Sequence, residues 1–432
     1  MIENYLFLLS FSLVYFLSLY FLYYYSNRKS FSLTSTSFFA LIYTIYIFFP
    51  LIFNHVFLNN KLNKISWVIL NDKLFLSSIL GFVSFVSGTL VFTSLYNKKY
   101  DNFIISYRKK ILINNLNKYY WLFLSTLGLL STIIILIFFI QKQEIYKAIL
   151  LSEQIGAQRQ EIRSGAGFFT IQMVYIIPWL CLLTYITKSL KKNIIYKIAF
   201  YILFLISALA QAALLYRGNL IFFILLLIVS KNAINLKANI KSLYWIAILL
   251  VFFSLLTILR IGFNFGSDRL YDEFVVRIFN RLVSPLEALG YIIDTFPRNG
   301  FYPGKTFILE IIALLPGPDI TFNGLIYKEM GYFGHGTVTP TILGEAFANL
   351  GFLGIFFELF FIGVLLQFIH FRLLKKNKNI TGIFFYTLLT VYIGKSVTSG
   401  LQCLKTPFLV FSALFIICFI TVSILKKSAN PL

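Results

Sequence analysis

The sequence predicts an all-α polytopic membrane protein of about eleven transmembrane helices (roughly 10–12). Three observations carry that expectation. Of the 432 residues, 59% are hydrophobic and only 12% charged, with a mean hydropathy of +0.81; soluble globular chains lie near about 45–50% and about 25%. Apolar runs of about 20 residues, the length a helix needs to cross hydrocarbon, recur from end to end. Most of the lysines gather in short links between those runs. The net charge of +22 therefore reads as the cytoplasmic positive charge that orients membrane helices, not as a nucleic-acid surface.

By the length rule the spans fall near 4–25, 31–53, 74–96, 121–141, 168–187, 194–214, 217–230, 243–261, 351–371, 380–398 and 407–425. The first has Glu3 before it and no small-residue cleavage site after it, so it is expected as a span and not as a removed signal. With the N-terminus outside, every second link is basic: Arg28 and Lys29, then Lys98 to Lys118, then Lys188, Lys191 and Lys192. The series continues through Lys231, Lys237 and Lys241, then Arg372 to Lys378, then Lys426 and Lys427. That alternation predicts one integral membrane domain over 1–432, with large extracytoplasmic loops near 142–167 and 262–350. The 50 Phe and 27 Tyr suit lipid-facing helices and interfacial belts. Cys181, Cys403 and Cys418 stand in apolar segments without metal-ligand or disulfide spacing.

The larger loop is where chemistry is expected. Between Arg260 and Gly351 fall nine of the 16 acidic residues and six of the ten prolines. Glu273, Arg277 and Arg281 share one helical face, which suits either a solvated ion-pair ladder or a substrate contact. Pro285 fits a helix start after Ser284, with Glu287 in the capping-box position. The run FYPGKTFILEIIALLPGPDI is too short to cross and predicts a re-entrant or surface helix. His335 lies in a GHG turn and Glu345 at the start of a span. An imidazole or carboxylate placed there suits a general base.

Eight of eleven arginines lie at or beyond the outer face: Arg159, Arg163, Arg217, Arg260, Arg269, Arg277, Arg281 and Arg298. Orientation needs positive charge only inside, so these ask for another reason. The guanidinium fork suits bidentate binding of phosphate or carboxylate. Arg217, in LLYRGN, and Arg260, closing a span in LLTILRIGF, sit nearest the hydrocarbon, where a charge is costly. The alternative for both is snorkelling to headgroups.

The segments LYRGN, LRIGFN, NRLVSPLEAL, DTFPRNGFYPGKTF, LLPGP and TPTILGEAFANLGFLG together resemble the Wzy-type oligosaccharide repeat-unit polymerases, which include O-antigen polymerases and the polymerase of enterobacterial common antigen. The resemblance covers about Leu215 to Leu366. A spacing of some members, arginine followed by fifteen residues and a glycine, does not occur at Arg159, Arg163, Arg260, Arg277 or Arg281.

The resemblance implies a fold like the C-type glycosyltransferases, with the site at the membrane surface. It implies a multi-pass enzyme of the bacterial cytoplasmic (inner) membrane, its active site facing the periplasm. The substrate implied is an oligosaccharide on undecaprenyl pyrophosphate, and membrane lipid and a chain-length regulator are the implied partners. Arg163, Arg217, Arg260, Arg277, Arg281 and Arg298 would bind pyrophosphate or glycan, and His335 and Glu345 would supply the base. The outer loops contain no DxD-type acidic pair, so neither metal nor cofactor is expected. Two other readings stay open on the sequence: an O-antigen ligase, and a flippase for lipid-linked oligosaccharide. A flippase would distribute charge through many spans, whereas these spans are mainly clean.

Overall fold

The computed structural model describes residues 12–22, 34–52, 72–113, 118–143, 171–190, 193–213, 217–236, 285–312, 321–332, 338–401, 403–404, 407–414, 416–417 and 420. Helices dominate and, among the described residues, there is no β-strand. One parallel bridge joins Ile113 and Asn379, with the Ile113 N–H donating to the Lys378 carbonyl at 2.8 Å. Eight helices among the described residues are long and apolar enough to cross a membrane. This is an all-α, multi-pass membrane protein. The expected span near 243–261 lies outside the described residues.

In chain order α1 is the apolar helix Ser12–Leu22 and α2 is Ser35–Ile52, which includes a π-helical turn at Thr44–Phe48. Helix α3 is Asp72–Lys109, α4 is Lys118–Gln141, α5 is Ile177–Leu190, α6 is Ile194–Ala213 and α7 is Arg217–Asn235. Three short helices follow inside the expected loop: α8 at 285–299, α9 at Lys305–Ile312 and α10 at Phe322–Glu329. Helix α11 is Thr341–Lys375, α12 is Ile380–Ser399 and α13 covers 407–414. Helix α3 is longer than its expected span. Its 38 residues measure about 57 Å at the α-helical rise, nearly twice a hydrocarbon core of about 30 Å, so the helix continues into the lysine-bearing link.

The chain divides into two compact units. The first comprises Met1–Arg108, Tyr271–Lys376 and Leu389–Thr406. Its centre is aromatic: Phe38, Phe39, Tyr43, Phe82 and Phe85 are fully buried, and the Phe39 and Phe85 rings lie 4.5 Å apart. Polar groups inside it are bonded across helices. Tyr43 donates to the Ser78 carbonyl at 2.6 Å, Ser35 to the Leu366 carbonyl at 2.8 Å, and Gln367 Nε2 to Thr93 Oγ1 at 3.0 Å. Helices α3 and α11 cross so closely that a Cβ on Gly363 would stand 2.2 Å from the Phe85 carbonyl oxygen. Small residues let apolar helices approach in this way when lipid gives no hydrophobic drive for association.

The second unit comprises Lys109–Leu270, Asn377–Leu388 and Pro407–Leu432. Two-thirds of α5 and α7 is buried against 22% of α4 and α6, so α5 and α7 form its interior and α4 and α6 present Leu129, Ile133, Ile202 and Leu205 to lipid. A π-helical turn at Gln172–Ile176 precedes α5. Pro178 has no N–H to return to that turn, and Gln211 Nε2 instead donates to the Met173 carbonyl at 3.3 Å.

Candidate functional site

Helix α11 is two helices joined by a break. Leu350 and Gly351 have non-helical backbone angles, with Gly351 at φ +63°, a region that a side chain disfavours. Residues 341–349 form the first arm and 352–375 the second. The arms fold back on each other: a Cβ on Gly354 would stand 2.0 Å from the carbonyl oxygen of Ala346, eight residues earlier. In a continuous helix those residues are about 12 Å apart along the axis.

The break frees carbonyls at the end of the first arm, and two of them take donors from outside the backbone ladder, as buried backbone groups favour. The Ala348 carbonyl accepts from the Tyr302 N–H at 2.8 Å. Asn349 Nδ2 donates to Thr306 Oγ1 at 2.7 Å and to the Glu345 carbonyl at 3.1 Å. Thr306 belongs to α9, so the short loop helix is tied to the break. Phe301 packs over Gly351, its ring 3.1 Å from where a Cβ would stand. Helix α8 is tied to α10, Tyr291 donating to the Glu329 carbonyl at 2.9 Å. Burial pushes the carboxyls of Glu287 and Glu329 up, since a carboxylate loses hydration there.

The first arm carries Glu345, which is 2% exposed. Its Oε2 accepts from the Leu401 backbone N–H at 2.6 Å, a short bond that fixes the carboxyl in place. Gly400, at φ +71°, makes room for it, because a Cβ there would lie 2.4 Å from Oε2. Thr341 opens the arm from the left-handed region at φ 63°, strained for a β-branched residue. Its Oγ1 accepts from the Gly344 N–H at 3.3 Å, the bond an N-cap makes.

Two further ionisable residues, Glu358 and Cys403, interact with Glu345, and Lys395 interacts with Cys403. Glu358, on the second arm, lies within electrostatic range of it. Cys403 interacts with both Glu345 and Lys395 of α12. Burial pushes the Cys403 thiol up to about 12, Lys395 opposing and Glu345 adding to the shift, and Sγ donates to the Tyr392 carbonyl at 3.3 Å. A thiol held protonated in this way is no nucleophile at neutral pH.

Two of the other expected site residues fall among the described residues. Arg217 opens α7 in the second unit. Arg298, on α8, bonds Asp294 Oδ1 at 2.9 Å in an exposed i,i+4 ion pair, its side chain 74% exposed. His335, Arg163, Arg260, Arg277 and Arg281 lie outside the described residues.

A family model described as "Putative O-antigen polymerase" matches residues 32–411, most of the chain. The chain belongs to this O-antigen polymerase family. No curated protein and no solved structure matches it. An O-antigen polymerase is a glycosyltransferase-like enzyme of polysaccharide biosynthesis that works on lipid-linked oligosaccharide in the membrane. Its chemistry needs a group to take a proton from a sugar hydroxyl, and in this O-antigen polymerase the broken helix presents carboxylates near the start of a membrane span. The sequence singles out Glu345 but not its neighbours Glu358, Cys403 and Asn349. The signal for Glu358 was present: an acid inside GFLGIFFELFF, where an ionisable residue is by default a functional candidate.

Proposed function

We propose that this O-antigen polymerase transfers the growing glycan from undecaprenyl pyrophosphate onto the next lipid-linked repeat unit, at the outer face of the bacterial cytoplasmic membrane with its site toward the periplasm. The observation that carries the reading is Glu345: a buried carboxylate, fixed by the Leu401 N–H, at the break in α11 of a chain matched to the family over 32–411.

The acceptor sugar hydroxyl attacks the anomeric carbon of the donor glycan. Its oxygen forms the new glycosidic bond, and the anomeric carbon–phosphate oxygen bond breaks with its electron pair leaving on the pyrophosphate. Glu345 takes the hydroxyl proton as general base, and His335 is the second candidate for that role. Arg217, Arg260, Arg277, Arg281 and Arg163 hold the pyrophosphate, spreading its charge over guanidinium forks. Arg298, exposed and already paired with Asp294, belongs at the rim, contacting glycan. With cations on the outer side and no DxD-type pair in the outer loops, arginine takes the place of a divalent metal. The loops near 142–167 and 262–350 lie outside the cytoplasm, membrane lipid surrounds the spans and a chain-length regulator docks on the assembly.

Glu345→Gln keeps the hydrogen-bonding shape and removes the base. In membranes supplied with lipid-linked repeat units it should lower the rate of repeat addition by about 10²- to 10⁴-fold at matched protein abundance. A wild-type rate would remove Glu345 from the mechanism.

A further inference from the structure

On the loop helices α8 to α10 the deepest aromatic rings are phenylalanines, and the rings that carry a hydroxyl stand at the surface. Phe296 and Phe322 are buried. Tyr291, Tyr302 and Tyr327 are half-buried and Tyr332 is 45% exposed. Direct contacts hold these tyrosines together. Tyr327 and Tyr332 stack with ring centres 5.1 Å apart, and the Tyr332 N–H donates to the Tyr327 carbonyl at 3.2 Å across a turn in which Gly331 has φ +79°. Tyr291 of α8 donates to the carbonyl of Glu329 at 2.9 Å, two residues beyond Tyr327. Phe296, five residues along α8, meets Tyr302 edge-on at 5.0 Å and Phe322 of α10 at 6.4 Å. With Phe296 and the Lys305 Nζ, 4.8 Å from the ring centre, against its ring, Tyr302 offers chiefly its hydroxyl. The Glu329 carboxylate is within electrostatic range of both the Tyr291 and the Tyr302 hydroxyls.

This surface is joined to the arm that carries Glu345. The Tyr302 N–H donates to the Ala348 carbonyl at 2.8 Å, and Ala348 follows Glu345 by three residues, about 4.5 Å along the helix axis. Open rings backed by buried apolar side chains and fringed by phenol hydroxyls and a carboxylate match the chemistry of a sugar. One face of a pyranose is a patch of C–H bonds that lies on an aromatic ring, and its rim of hydroxyls needs donors and acceptors within reach. A lipid tail would have no use for the carboxylate, and a pyrophosphate would be repelled by it.

We propose that this tyrosine surface docks the acceptor glycan, the terminal sugar lying on the Tyr327–Tyr332 pair with its hydroxyls taken by Tyr291, Tyr302 and Glu329. This rests on the reading of Glu345 as the general base, since the bond from Tyr302 to the Glu345 arm is what sets a docked acceptor beside that carboxylate.

Two measurements on the full-length protein test it. In proteoliposomes with purified lipid-linked repeat units, Tyr332→Ala should raise KM about 10-fold, the scale of one aromatic stacking contact, the change falling on KM and not on kcat. Tyr332→Phe, which keeps the ring, should recover most of that loss. Tyr302→Phe, which removes only a hydroxyl, should raise KM by about 2- to 10-fold. In lipid nanodiscs, the free repeat-unit oligosaccharide, carrying neither lipid nor pyrophosphate, should receive magnetisation from saturated aromatic protons of the protein, and Tyr332→Ala should abolish that transfer. Glu345→Gln should lose turnover and keep the transfer, so that the base and the docking surface fail separately. An unchanged KM for Tyr332→Ala, or a transfer signal that Tyr332→Ala leaves intact, would overturn the proposal. A KM change that follows the headgroup composition of the vesicles, with no transfer to the free oligosaccharide, would make the tyrosines an interfacial belt and overturn it too.

Discussion

Gly354→Ala is the smallest change that should separate the two arms of α11. A Cβ at that position would lie 2.0 Å from the Ala346 carbonyl oxygen. Carbon and carbonyl oxygen in close helix contacts stay about 3.3 Å or more apart, so the arms must part by roughly 1 Å. The obstructing atom is backbone, fixed in the first arm, and no side-chain rotation relieves it. A misplacement of about 1 Å at a catalytic constellation can cost about 10²-fold in rate, and that is the loss expected here. The matched control is Gly128→Ala in α4, where the nearest atom to the new Cβ is Leu180 Cδ1 at 3.5 Å, an ordinary contact. Both variants gain helix propensity, alanine exceeding glycine by about 1 kcal/mol, so propensity cannot explain a difference between them. Repeat addition in proteoliposomes, normalised to protein abundance, compares the two. A wild-type rate for Gly354→Ala would show that the fold-back of α11 does not set the geometry of catalysis.

Two further expectations concern charge and orientation. Arg217→Lys and Arg260→Lys keep a cation but lose the bidentate fork, so each should shorten the polysaccharide made in a polymerase-deficient strain, with losses of about 10²- to 10³-fold in rate; wild-type chain lengths from both would assign these arginines to headgroup contact. In a background freed of native cysteines, Ser267→Cys and Asn299→Cys should react with an impermeant thiol reagent added outside, and Ser189→Cys and Asn377→Cys should not. Labelling of the latter pair alone would reverse the orientation.

The spans were legible because hydropathy over about 20 residues measures what a bilayer selects, and α3 to α7, α11 and α12 fall where the apolar runs stand. The rule reports only the apolar part of a helix. It therefore located α3 at 74–96 and not its continuation to Lys109, which carries the lysines of the following link. It likewise began a span at 351, the point at which Gly351 breaks α11, and gave no sign that 341–349 is already helical and folds back on it. Periodicity carries no information about a reversal set by one glycine in the left-handed region and another that lets backbones touch. Proline suits a first helical turn, which made a helix around Pro285 legible, and residues 285–299 are helical. Glu345 was legible as an acid at the edge of a span. Glu358 was passed over because it stands among phenylalanines, and its pairing with Glu345 exists only in three dimensions. The π-helical turns at Thr44–Phe48 and Gln172–Ile176 had no signal in the pattern of apolar residues.

The proposed reaction joins repeat units on a polyprenyl pyrophosphate carrier without a metal. Purified protein in proteoliposomes, given undecaprenyl-pyrophosphate-linked repeat units as the sole substrate and EDTA throughout, measures it directly. The expected result is a ladder of products differing by one repeat, with one undecaprenyl pyrophosphate released per bond formed. Substrate that stays one repeat long, or a ladder that appears only when magnesium or manganese is restored, would contradict it.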